Sequence, residues 1–132
     1  MEKIKVLIAD DHRVVREGLA AILKTKDDIN VVGEAQDGVE AVEKTKTLMP
    51  DVILMDVSMP RMGGIEATRQ IKREFPHMGI VALTMYEEKQ YIFDLVRAGA
   101  TGYLLKDSES SQIVAAIRAI YRGESLIHPS VA

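Results

Sequence analysis

Five polar residues stand where apolar runs end. Asp10 and Asp11 follow Ile4 to Ala9, Asp56 follows Val52 to Met55, Thr84 follows Ile80 to Leu83, and Lys106 follows Thr101 to Leu105. Three carboxylates, a hydroxyl and an ammonium drawn to one place would do a particular chemistry. Carboxylates crowded together repel, and at neutral pH they need a cation. An oxygen-only cluster, without histidine or cysteine, favours Mg²⁺ or another hard divalent cation over zinc. The metal, Lys106 and Thr84 could then each hold one oxygen of a phosphoryl group, whose transfer needs mainly positioning and charge neutralisation. A carboxylate can itself be the nucleophile and become an aspartyl-phosphate.

The elements around these residues must bring them together. The four apolar runs, with Ile29 to Ala35, read as five buried strands. Between them lie segments with helical spacing. The first is 13–25, with Val15, Leu19, Ile22 and Leu23 as its apolar face. The second carries Val39, Val42 and Met49, follows an Asp37–Gly38 turn and stops at Pro50. The others are 64–75 with Ile65, Thr68, Ile71 and Phe75, 87–98 with Ile92, Leu95 and Val96, and 109–122. Strict alternation predicts an α/β fold: a flavodoxin-like (βα)5 doubly wound parallel sheet of strand order 2-1-3-4-5. Parallel strands share one carboxyl edge, so the five residues converge there.

Composition is compatible with that reading. The chain has 132 residues, 47% hydrophobic and 28% charged, enough for one domain with a core. A net charge of -3 gives no electrostatic preference for nucleic acid. No cysteine is present, which excludes disulfides and thiolate chemistry, and no apolar run approaches a membrane span. The N-terminus runs directly into a strand and does not read as a signal peptide, so a cytoplasmic protein is expected. Each site residue alone also has an ordinary reading: a helix cap or turn for the acids, a backbone-bonded hydroxyl for Thr84, a solvated charge for Lys106. Their joint occurrence at four strand ends favours a site. His12, His77 and His128 lack metal-ligand spacing and read as surface or capping residues.

The acidic pair, DVSMP at 56–60, Gly63–Gly64, Thr84, and Tyr103 three residues before Lys106 together resemble the receiver domain of a two-component response regulator. The resemblance covers residues 4–122. It implies that Asp56 is the phosphoacceptor. Asp11, Asp56 and the backbone carbonyl of Ser58 would bind Mg²⁺ directly, with Asp10 acting through water. Lys106 would pair with the phosphoryl group, and Thr84 and Tyr103 would form the switch. The implied protein is no enzyme acting on a released substrate, although it assists its own phosphotransfer and dephosphorylation. Its partner would be a sensor histidine kinase.

ADDHRVVREGL, YLLKD and GESLIHPSVA further resemble the NarL/FixJ subfamily, whose members carry a LuxR-type helix-turn-helix domain. Residues 1–122 are then the receiver domain and 123–132 the start of a linker to a DNA-binding domain missing from this chain. Contact with DNA would run only through that domain, transcription would be the output, and activation would produce a homodimer. Val114 and Tyr121, outside the Ile113, Ile117 and Ile120 stripe, offer a self-association surface, with a wide core stripe as the alternative. The family usually has a small residue where Met85 stands. Tyr86 flanks the route of hydrolytic water and is expected to slow loss of the phosphoryl group. A stand-alone receiver signalling by protein contact is the main alternative. An aspartyl-phosphate phosphatase is less favoured, because the second acid such enzymes use is Ser58 here.

Overall fold

The computed structural model describes residues 2–85 and 89–126. Five strands alternate with five helices: β1 (Ile4–Ala9), α1 (Arg13–Lys24), β2 (Ile29–Ala35), α2 (Gly38–Leu48), β3 (Val52–Asp56), α3 (Gly64–Glu74), β4 (Gly79–Thr84), α4 (Lys89–Ala98), β5 (Gly102–Leu105) and α5 (Ser110–Tyr121). All strand pairings are parallel, and the order is β2-β1-β3-β4-β5, as the alternation predicts. Ala9 lies opposite Met55, Asp56 opposite Leu83, and Thr84 opposite Leu105. The register therefore brings the ends of β1, β3, β4 and β5 to one edge.

Side chains of a strand alternate between faces, and here both faces are apolar. Val6 and Ile8 of β1, and Val52 and Leu54 of β3, pack against α1 and α5. Leu7, Ala9, Ile53 and Met55 face a second cluster built with α2 and α3. A smaller cluster joins Ala82, Leu95 and Ala100, with Tyr103 packed on its border. No side chain of β3 touches solvent appreciably, and even Asp56 is 1% exposed.

Several helix faces differ from the sequence expectation. In α1 the buried residues are Ala20 and Leu23, while Val15 and Ile22 are more than a third exposed. Leu19, partly buried, packs against the same core cluster as Ala20 and Leu23, so the inward face of α1 runs through these three. Asp37–Gly38 is not a free turn. Asp37 is the N-cap of α2, its carboxylate accepting from the Glu40 N–H at 2.8 Å. Met49 is not on an inward face; it is the left-handed C-cap of α2 and is exposed. Val114 is 4% exposed and belongs to the core with Ile113, Ile117 and Ile120, so the wide core stripe is the correct reading of α5. Tyr121 alone of the proposed pair faces outward. Tyr86 and His128 lie outside the described residues.

Tight backbone approach fixes α3 against the end of β3. A Cβ on Gly64 would sit 2.0 Å from the carbonyl oxygen of Asp56 and 2.9 Å from the Cα of Val57. Backbone cannot yield as a flexible side chain does, so Gly64→Ala must push the helix and the Asp56 peptide apart. We expect a loss on the order of 2 kcal/mol in urea unfolding. An unaltered midpoint would contradict this close packing.

Candidate functional site

The sheet edge gathers the residues that the sequence marked. Lys106 Nζ lies 3.0 Å from Asp56 Oδ1 and 3.3 Å from Asp10 Oδ2. Its position is set by pairing of the chain just past β5 with β4, where the Lys106 N–H donates to the Thr84 carbonyl at 2.8 Å. The Ser58 N–H donates to Asp56 Oδ1 at 3.3 Å. Asp10 is fully buried and accepts the His12 N–H at 2.8 Å through Oδ1. Arg16 reaches back from α1 to donate to the Asp10 carbonyl at 2.7 Å, which braces the turn carrying both acids. Asp11 is partly exposed beside them. Thr84 is buried at the end of β4, and Tyr103 is half-buried one strand further along.

Electrostatics at this edge is unfavourable for the acids as they stand. Burial, joined by the negative charge of Asp10, pushes the Asp56 carboxyl up from 3.8 to about 6, although Lys106 and the Ser58 N–H pull the other way. For Lys106, burial is the largest single influence and lowers its affinity for the proton. Asp56 and Asp10 together outweigh it, and the ammonium is held above its ordinary range.

The donor set fits a hard cation. Asp56 Oδ2 is buried with no hydrogen-bond donor. Asp10 Oδ2 and Asp11 Oδ1 also receive no hydrogen bond of good geometry, having only Lys106 at 3.3 Å and His12 at 3.1 Å as ion-pair neighbours. Ligand atoms from Asp10, Asp11, His12 and Asp56 all lie within 4.8 Å of one another. Clustered, underused carboxylate oxygens of this kind suit Mg²⁺. His12 is the member that spacing did not reveal. It holds the N-cap position of α1 without capping it, and its ring turns to the acids instead.

A cavity of about 480 Å³ opens onto the cluster, and Asp56, Thr84 and Lys106 line its inner end. Ile65, Met85 and Tyr91 line it further out. Met85 is largely exposed at the rim, where it borders the approach to Asp56.

A buried acid at the end of the central strand, flanked by an acidic pair, a hydroxyl and a lysine, is the arrangement expected from the resemblance to a receiver domain. Residues 6–118 match the family described as response regulator receiver domain. The chain belongs to the response regulator receiver family. This receiver is 46% identical over 129 residues to the oxygen regulatory protein NreC of Staphylococcus carnosus (strain TM300), covering 97% of its own length and 59% of NreC. Among solved structures, it resembles a LuxR-family two-component response regulator from Aurantimonas sp. SI85-9A1 with a TM-score of 0.90 and 34% identity, covering 98% of this chain and 93% of that one. It equally resembles the signal receiver domain of the response regulator NarL from Mycobacterium tuberculosis, with a TM-score of 0.90 and 35% identity, covering 94% of this chain and all of that one. The receiver thus spans less than two thirds of the NreC sequence. No helix among the described residues is long and apolar enough to cross a membrane.

Proposed function

We infer that this receiver accepts a phosphoryl group on Asp56 from a sensor histidine kinase, and that the modification switches the carboxyl edge of the sheet. One observation carries the reading most. Asp56 is buried, paired to Lys106 through one oxygen, and leaves the other oxygen without a donor beside the acidic pair. A carboxylate so placed is a nucleophile with its charge partners already assembled.

Asp11, Asp56 and the Ser58 carbonyl would hold Mg²⁺, with Asp10 beside them. When bound, the ion neutralises charge on the acids and on the incoming phosphoryl oxygens. In the transfer, an Asp56 oxygen forms the bond to phosphorus while the phosphorus–nitrogen bond to the donor imidazole breaks. The electron pair leaves with the imidazole, which takes up a proton. Lys106 exchanges its contact with Asp56 for a phosphoryl oxygen. Thr84 turns its hydroxyl to a second oxygen, and Tyr103 moves further into the space beside Ala82. Such a local charge change biasing a two-state element is how a phosphorylation switch works.

Residues 1–122 form the receiver unit, and 123–132 begin a linker. The NreC sequence that lies beyond the match leaves room for a DNA-binding output domain, and transcriptional control in the cytoplasm follows from that reading. A homodimer formed on activation would have Tyr121 of α5 available, whereas Val114 is committed to the core.

Incubation with acetyl phosphate and Mg²⁺ tests the reading by intact mass. One added phosphoryl group is expected, absent in Asp56→Asn and in the presence of EDTA. A folded wild-type chain that gains nothing would overturn it.

A further inference from the structure

The His12 ring faces the acidic pair but takes no part in accepting the phosphoryl group. Its Nδ1 lies 3.1 Å from Asp11 Oδ1 and 3.3 Å from Asp10 Oδ1. Around an octahedral ion with bonds of ~2.1 Å, adjacent ligand atoms stand ~3.0 Å apart and opposite ones ~4.2 Å. The His12–Asp11 spacing matches an adjacent pair, and the ligand atoms of the whole four-residue cluster lie within 4.8 Å of one another. Two further observations point the same way. Asp56 Oδ2, on a side chain only 2% exposed, is without a hydrogen-bond donor at this place. The His12 side chain makes no cap bond for α1, so turning its ring onto an ion breaks nothing in the helix.

We propose that His12 is an additional, direct metal ligand through Nδ1, making this receiver's cation site one that prefers Mn²⁺, Co²⁺ or a similar transition-metal ion over Mg²⁺. The inference rests on the cation site assigned under the proposed function and deepens it. Imidazole is a softer donor than carboxylate and binds transition metals well, while Mg²⁺ gains little from it. In the metal-free chain, Nδ1 lies beside Asp10 and Asp11. In the loaded chain, Nδ1 would give its lone pair to the ion while the other ring nitrogen faced solvent. The imidazole is largely exposed, so the ring has room for this change.

The test uses Mn²⁺ and Mg²⁺ themselves on the full 132-residue chain. Pulsed electron paramagnetic resonance of the Mn²⁺-loaded protein should show nitrogen-14 coupling of a directly bound imidazole, and His12→Ala should abolish it. By calorimetry, His12→Ala should weaken Mn²⁺ binding about tenfold or more while Mg²⁺ binding changes less than about threefold. His12→Asn, which supplies an oxygen and a good N-cap, should keep Mg²⁺ binding and also lose the nitrogen signal. Mn²⁺ bound without nitrogen coupling, or an equal loss for both metals in His12→Ala, would overturn the inference and leave the proposed function intact. A folded chain that binds neither metal would overturn both.

Discussion

Lys106→Ala should be the most damaging single change at the carboxyl edge in the absence of divalent cations. Among the described residues, it leaves Asp10 and Asp56, both buried, with no lysine or arginine side chain within ion-pair distance. Removing one partner from a buried ion pair commonly costs 3–5 kcal/mol, because the remaining charge is stranded. Lys106 keeps a fifth of its side chain exposed, so we expect about 3 kcal/mol, the lower end of that range. For a chain of this size, that lowers the melting temperature by roughly 10 °C at pH 7.5 in EDTA. The loss should shrink on acidification, since protonated Asp56 no longer needs a counter-charge. Adding Mg²⁺ should also restore part of it, since a ligand bound only by the folded state stabilises that state. An unchanged melting temperature in EDTA would show that the ion pair does not carry the charge balance described here.

Asp56→Asn should act in the opposite direction. A carboxyl held at about 6 in the folded chain, against 3.8 ordinarily, binds its proton more tightly folded than unfolded. Its contribution to stability is therefore fully present below pH 3.8 and is lost as pH rises through 6. The interval corresponds to a loss on the order of 3 kcal/mol. Asparagine does not titrate, and Lys106 still has Asp10. In EDTA, the variant's stability relative to wild type should consequently rise by on the order of 3 kcal/mol between pH 4 and pH 8. Urea unfolding at several pH values measures this. A difference independent of pH would contradict the strained carboxylate. Saturating Mg²⁺ should flatten the dependence, because the ion supplies the positive charge that folding alone does not.

The strands and the site were legible in the sequence for one physical reason. A strand buried on both faces needs an unbroken apolar run, so a polar residue marks where burial stops. In a parallel sheet all those stops fall on one edge, and Asp10, Asp56, Thr84 and Lys106 could be assembled without coordinates. Helix faces were less legible. The α1 pattern marked Val15 and Ile22 as inward, but the buried residues include Ala20, whose small size gives little weight in periodicity. For Val114 the sequence leaves open a wide core stripe or a self-association face, and only packing reveals how wide the contact of α5 is. His12 carries no spacing signal with the other histidines, because its neighbours are the two acids that precede it in one turn. The bidentate pair between Arg118 and Asp28, 90 residues apart, has no sequence signal at all. That pairing holds the Asp28 carboxyl below its usual range and ties α5 to the loop before β2.

Everything in this account turns on Asp56 as the acceptor, and chemical trapping reads that directly. An acyl phosphate is reduced by borohydride at its carbonyl carbon, converting the acceptor aspartate to homoserine. After treatment with acetyl phosphate and Mg²⁺, then borohydride and proteolysis, peptide mass spectrometry should find homoserine at position 56 and unmodified aspartate at positions 10 and 11. Homoserine at 10 or 11, or at no position in a chain that binds Mg²⁺, would contradict the account.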